Sequence, residues 1–113
     1  MVLLWATFYL ACSKQTKKYN KMKTVAELVK TDNVMIVDVR TRAEFAGGHV
    51  ADSVNIPLDE LPERINELKG KENIIVCCRS GARSANAAVI LKQNGIDCLN
   101  GGSWLDVNYY RNN

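Results

Sequence analysis

A chain of 113 residues has room for one domain, and a 47% hydrophobic content suffices for one packed core. The net charge of +3 is unevenly placed: Lys14, Lys17, Lys18, Lys21 and Lys23 all precede the first acid, Glu27, and from Thr24 onward ten basic residues face twelve acidic ones, a net of −2. That balance argues against a nucleic-acid partner, and a sequence with no C-x-x-C pair and a single histidine argues against a metal site.

In chain order, Met1 to Ala11 form an apolar run of the length of a signal-peptide core, too short to span a bilayer. Leu10-Ala11-Cys12 resembles the end of a bacterial lipoprotein signal, in which the cysteine is lipidated and becomes the mature N-terminus. Residues 1–23 therefore read as a hydrophobic leader and polar tether, and residues 24–113 as the domain. The expectation is an exported protein facing the periplasm, held to the membrane only through Cys12. A hydrophobic arm packed on a cytoplasmic domain is the competing reading.

Thr24-Val25-Ala26-Glu27 has the capping-box form and predicts a short helix to about Lys30, broken by Asp32-Asn33. Val34 to Val39, interrupted only by Asp38, predicts a strand buried on both faces. Thr41-Arg42-Ala43-Glu44 is a second capping box, and Gly47-Gly48 ends its helix. Val54-Asn55-Ile56 predicts a short strand stopped by Pro57. Leu58, Leu61, Ile65 and Leu68 recur at helical spacing up to Gly70. Asn73 to Cys77 is a third strand, Arg83 to Asn94 an Ala-rich helix closed by Gly95, and Asp97-Cys98-Leu99 a last strand. Ser103 caps a final short helix. Strands alternating with helices predict an α/β fold with a parallel central sheet covered on both faces. Ligands of such sheets bind beyond the carboxyl ends of the strands, where Cys78 falls.

The run Cys78-Arg79-Ser80-Gly81-Ala82-Arg83 joins the third strand to the Ala-rich helix. Such a loop aims successive backbone N–H groups and the positive end of a helix dipole at one point. A cysteine there is biased toward thiolate, and Arg79 and Arg83 add positive charge. A free thiol with a pKa of about 8.5 is only a few per cent ionised at neutral pH; lowering it by roughly two units, about 2.7 kcal/mol, makes thiolate the majority species. Cys78 is the candidate nucleophile. Arg79, Ser80, Gly81, Ala82 and Arg83 are the candidate substrate-binding residues, Ser80 and Ala82 through backbone N–H groups only. Asp38, Arg40 and Glu44 read as structural support, a network under the loop with at least one Arg–carboxylate contact, because unpaired buried charges cost several kcal/mol. Trp104, Tyr109 and Tyr110 read as packing of the C-terminal segment, and Cys98 as strand core.

Five blocks together resemble a single-domain rhodanese, a sulfurtransferase, over roughly Lys21 to Asn113. They are Ile36-Val37-Asp38-Val39-Arg40, Glu44-Phe45-Ala46-Gly47-Gly48-His49-Val50, Ser53-Val54-Asn55-Ile56-Pro57, Val76-Cys77-Cys78-Arg79-Ser80-Gly81-Ala82-Arg83-Ser84 and Leu99-Asn100-Gly101-Gly102-Ser103-Trp104. The resemblance implies a rhodanese-like three-layer domain. It also implies transfer of sulfane sulfur from thiosulfate or a persulfide donor to cyanide, a thiol or a thioredoxin-like protein. A persulfide on Cys78 carries the sulfur, with no metal or organic cofactor; Arg83 points across the loop to hold its shape, and the resemblance gives His49 a structural turn position rather than the role of a base.

Two alternatives stay open. A non-enzymatic persulfide carrier would have the same loop. Counted from Cys77 the motif becomes C-x5-R, the larger loop of dual-specificity phosphatases and arsenate reductases; counted from Cys78 it is C-x4-R, the six-residue loop of sulfurtransferases.

Overall fold

The structure, a computed structural model, describes residues 23–113. The apolar leader, Cys12 and the tether up to residue 22 lie outside the described residues. The elements in order are α1 (Val25–Leu28), β1 (Met35–Asp38), α2 (Arg42–Ala46), β2 (Val54–Asn55), a 3₁₀ segment (Leu58–Glu67), β3 (Ile74–Cys78), α3 (Ala82–Gln93), β4 (Cys98–Ser103) and α4 (Trp104–Asn112). The four strands make one parallel sheet in the order β2-β1-β3-β4.

Both capping boxes form. Thr24 Oγ1 accepts from Glu27 N–H while Glu27 accepts from Thr24 N–H, and Thr41 and Glu44 do the same at α2. Ser103 caps α4 by accepting from Leu105 N–H.

β3 is buried along its whole length, and its side chains alternate across the sheet. Ile74, Val76 and Cys78 enter a core with Leu61, Ile65 and Leu68 of the 3₁₀ segment and its exit, and with Ala87 and Leu91 of α3. Ile75 and Cys77 enter the opposite core with Leu28, Val29, Val107 and Trp104. This is the expected three-layer arrangement, and it sends the two adjacent cysteines to opposite faces.

Two elements differ from expectation. The segment with apolar residues at 58, 61, 65 and 68 is 3₁₀ rather than α-helical. Pro62 has no N–H to give to the carbonyl four residues back, and i→i+3 bonds such as Glu60 N–H to the Pro57 carbonyl take over. β4 begins at Cys98, not Asp97, and runs on through Asn100-Gly101-Gly102 to Ser103, with a register shift opposite Val76/Cys77. Gly101 makes this possible: a Cβ there would lie 2.7 Å from Val107 Cγ2 and 2.8 Å from Ile75 Cγ2. The shift brings Ser103 opposite Cys78 and turns Asn100 and Gly102 toward the loop that follows β3.

Candidate active site

β3 ends at Cys78 and α3 starts at Ala82, so three residues make the turn. The turn closes because Gly81 takes a left-handed conformation, φ +103°, with Gly102 Cα 3.4 Å from where a Cβ would stand. The backbone thereby curls back over the sulfur. Gly81 N–H donates to Cys78 Sγ at 2.9 Å, and Ser84 Oγ lies 3.4 Å from it. Burial pushes the Cys78 thiol up, but the Ser84 hydroxyl and the N–H groups of Ser84, Gly81 and Ser80 outweigh it and hold the thiol below its ordinary value.

Cys77 has the reverse environment. It is wholly buried in the other core, and burial, reinforced by the Asp38 carboxylate, pushes its thiol up to about 12. Burial also raises Cys98, which packs against the core on the Cys78 side of the sheet.

The two loop arginines are differently placed. Arg83 gives Nη1 and Nη2 to the Glu44 carboxylate at 2.7 and 2.9 Å. The Arg83 guanidinium and the Thr41 cap hold the Glu44 carboxyl far below the usual carboxylate range. Arg79 is exposed, and among the described residues its guanidinium has neither hydrogen bond nor ion pair. Ser80 and Ala82 are also exposed.

Beneath the loop, Asp38 and Arg40 form a buried pair. Arg40 Nε and Nη2 reach the Asp38 carboxylate at 2.9 and 2.7 Å, Arg40 N–H donates to it at 3.0 Å, and Nη2 also donates to the Gly48 carbonyl. The guanidinium lies 4.7 Å from the Trp104 ring centroid. This network ties β1, the α2 exit and α4 together below the loop. His49 belongs to the same turn: it stacks on Phe45 and its Nδ1 lies 2.7 Å from the Phe45 carbonyl, which makes Nδ1 the protonated nitrogen.

Two residues absent from the sequence-based site take part. Ser84, fully buried in the first turn of α3, contacts Cys78, the Gly81 carbonyl and Asn100. Asn100, in the extended part of β4, bonds Ser84, the Gly81 carbonyl and Gly102 N–H. A hydroxyl directly behind the loop was the available signal for Ser84; Asn100 carries no local one. Among the described residues no group of three or more His, Cys, Asp or Glu converges as metal ligands would.

The family model described as Rhodanese-like domain matches residues 21–104. A sulfurtransferase of Allochromatium vinosum is 40% identical over 68 residues, 60% of this chain and 64% of that protein. The matched region covers about half of two further curated relatives. The thiosulfate sulfurtransferase GlpE of Shewanella oneidensis is 28% identical over 80% of this chain and 95% of its own. Among solved structures, a rhodanese-like domain protein from Staphylococcus aureus superposes with a TM-score of 0.65 at 34% identity, covering 73% of this chain and 80% of that one.

Proposed function

The chain belongs to the rhodanese-like domain family of sulfurtransferases, and from that membership we propose that it moves sulfane sulfur through a persulfide on Cys78. One observation carries the reading: of two adjacent thiols, only Cys78 faces a ring of N–H donors, with Gly81 N–H 2.9 Å from its sulfur. The thiolate attacks the outer sulfur of a donor such as thiosulfate; the S–S bond of the donor breaks and sulfite leaves with its electron pair. Cys78 is left as a persulfide anion whose terminal sulfur takes the loop N–H groups. Cyanide or a thiol then attacks that sulfur and releases the Cys78 thiolate. Charge is conserved in both halves, and the two half-reactions predict ping-pong kinetics. Backbone N–H groups, preorganised by Gly81 and the start of α3, stabilise the anionic sulfur, and Arg79 attracts the donor.

Incubation with thiosulfate followed by mass spectrometry tests the assignment. One sulfur atom is expected on Cys78 alone, and a stable adduct on Cys77 instead would overturn it. Steady-state turnover with thiosulfate and cyanide separates an enzyme from a carrier that is loaded but turns over only with a docked partner. The phosphatase reading would need Cys77 as nucleophile, yet that thiol is buried on the far face with its proton held to about pH 12.

The proposal extends to the membrane. Lipidation at Cys12 would place the domain on a short tether at the periplasmic face, since several acyl chains hold firmly where one does not. Cys12→Ala should then leave the protein unprocessed or shift it out of the membrane fraction. Full-length protein beginning at Met1 in the cytosol would overturn the anchor.

A further inference from the structure

Ser84 Oγ lies among three acceptors: Asn100 Oδ1 at 2.7 Å, the Gly81 carbonyl at 3.1 Å and Cys78 Sγ at 3.4 Å. A hydroxyl has one proton to give. The amide of Asn100 is oriented by its other contacts, since Oδ1 accepts from Gly102 N–H at 2.9 Å and Nδ2 donates to the Gly81 carbonyl at 3.3 Å. Ser84 is therefore the donor in the Ser84–Asn100 bond. With the proton on that shortest contact, Ser84 turns oxygen lone pairs toward the sulfur. A thiol S–H can donate to them; a thiolate needs the proton instead.

We propose that Ser84 is a positioning residue whose single proton alternates between Asn100 Oδ1 and Cys78 Sγ in step with the charge on the sulfur, and that Asn100 sets how much of that proton the thiolate receives. The inference rests on Cys78 being the sulfur-carrying nucleophile. In the free thiolate the proton faces Sγ. Once the persulfide forms, the negative charge moves to the terminal sulfur, Sγ becomes a neutral bridging atom, and the proton returns to Asn100. When the acceptor attacks, charge returns to Sγ as the leaving group and the proton follows it. No bond to hydrogen breaks; the hydroxyl only rotates. The other charged or titratable groups around Cys78 are Arg79 and Arg83 on the loop, Glu44 paired with Arg83, and Asp38, Arg40 and Cys77 behind it. Ser84 and Asn100 are the neutral pair among them, so substituting either leaves the local charge unchanged.

The test is the pH profile of Cys78 alkylation by iodoacetamide in the full chain, with the labelled cysteine mapped by mass spectrometry. Ser84→Ala should move the midpoint up and Ser84→Thr should leave it in place. Asn100→Leu, which removes the nearer competing acceptor and leaves only the Gly81 carbonyl at 3.1 Å, should move the midpoint down. Below the midpoint this reads as roughly three- to tenfold slower labelling in Ser84→Ala and a comparable acceleration in Asn100→Leu. The double variant should match Ser84→Ala, because the competition needs the proton. A midpoint raised in Asn100→Leu, a lowered one that persists without Ser84, or an unmoved one in Ser84→Ala would overturn the proposal. Should Asn100→Leu fail to fold, the contrast between Ser84→Ala and Ser84→Thr decides. Iodoacetamide needs no sulfur donor, so a wild-type protein that titrates as expected but takes no sulfur from thiosulfate would defeat the transfer reading alone.

Discussion

Arg83 and Glu44 lie 39 residues apart in the chain and meet in a two-pronged ion pair of 2.7 and 2.9 Å. One cation of the loop is thus committed to α2, and Arg79 alone is left to meet an incoming anion. Both partners are about one-third exposed, so the pair contributes at most about 1 kcal/mol to stability. Glu44→Gln should keep the α2 cap, since Gln also serves at that position, and lose only that amount in urea unfolding at neutral pH. A carboxyl held lower in the folded than in the unfolded chain adds stability above its ordinary value of 4.5 and surrenders it as pH falls through the folded value. The difference between wild type and Glu44→Gln should therefore narrow steadily below pH 4.5; a gap that widened in acid would contradict the ion pair.

Cys78→Ser should abolish sulfur transfer, whereas Cys77→Ser should retain most of it with some loss of stability, because it puts a hydroxyl in an apolar core. Paired assays of thiosulfate:cyanide turnover and thermal unfolding check both halves. Transfer surviving in Cys78→Ser would remove the nucleophile assignment.

Arg79→Ala should raise the KM for thiosulfate by about tenfold while changing kcat little, the loss expected of one charge-assisted contact made equally in ground and transition states. The KM of the variant should also depend less on ionic strength. An unchanged KM would make Arg79 a solvated side chain without a role.

Asp38→Asn should cost about 3–5 kcal/mol of folding stability, because it leaves the Arg40 guanidinium buried without its counter-charge. Chemical denaturation gives the number. A cost below about 1 kcal/mol would mean that the Gly48 carbonyl and the Trp104 face suffice for Arg40.

Much of the frame is legible in the residues because the decisive signals are local. Continuous apolar runs mark β1 and β3, and two Thr-x-x-Glu boxes mark α1 and α2. What escapes is set by contacts distant in the chain. Asn100-Gly101-Gly102 has little strand propensity, and it extends β4 because a residue without a side chain can pass between Ile75 and Val107. The spacing 58, 61, 65, 68 suits an α-helix, and only Pro62 tells against it. The candidate nucleophile can be read from the loop itself, whereas the Ser84–Asn100 bond spans 16 residues and the Arg83–Glu44 pair 39. The family resemblance implies that Arg83 braces the loop, but the partner it braces against is a tertiary fact.

The alternation of side chains along β3 also governs how the protein meets oxidants. Neighbouring residues of an extended strand point to opposite faces, so Cys77 and Cys78 are kept from bridging each other. Cys98 shares the face of Cys78 but lies opposite Ile74, four residues back along the strand and roughly 13 Å away at about 3.3 Å per residue. Among the described residues, then, none can resolve a sulfenic acid at Cys78 into an internal disulfide. Peroxide would carry the thiolate toward sulfinic acid unless a thiol from outside the described residues reached it first. The same geometry that sets Cys78 apart from Cys77 and Cys98 leaves its survival to a thiol from beyond these two strands.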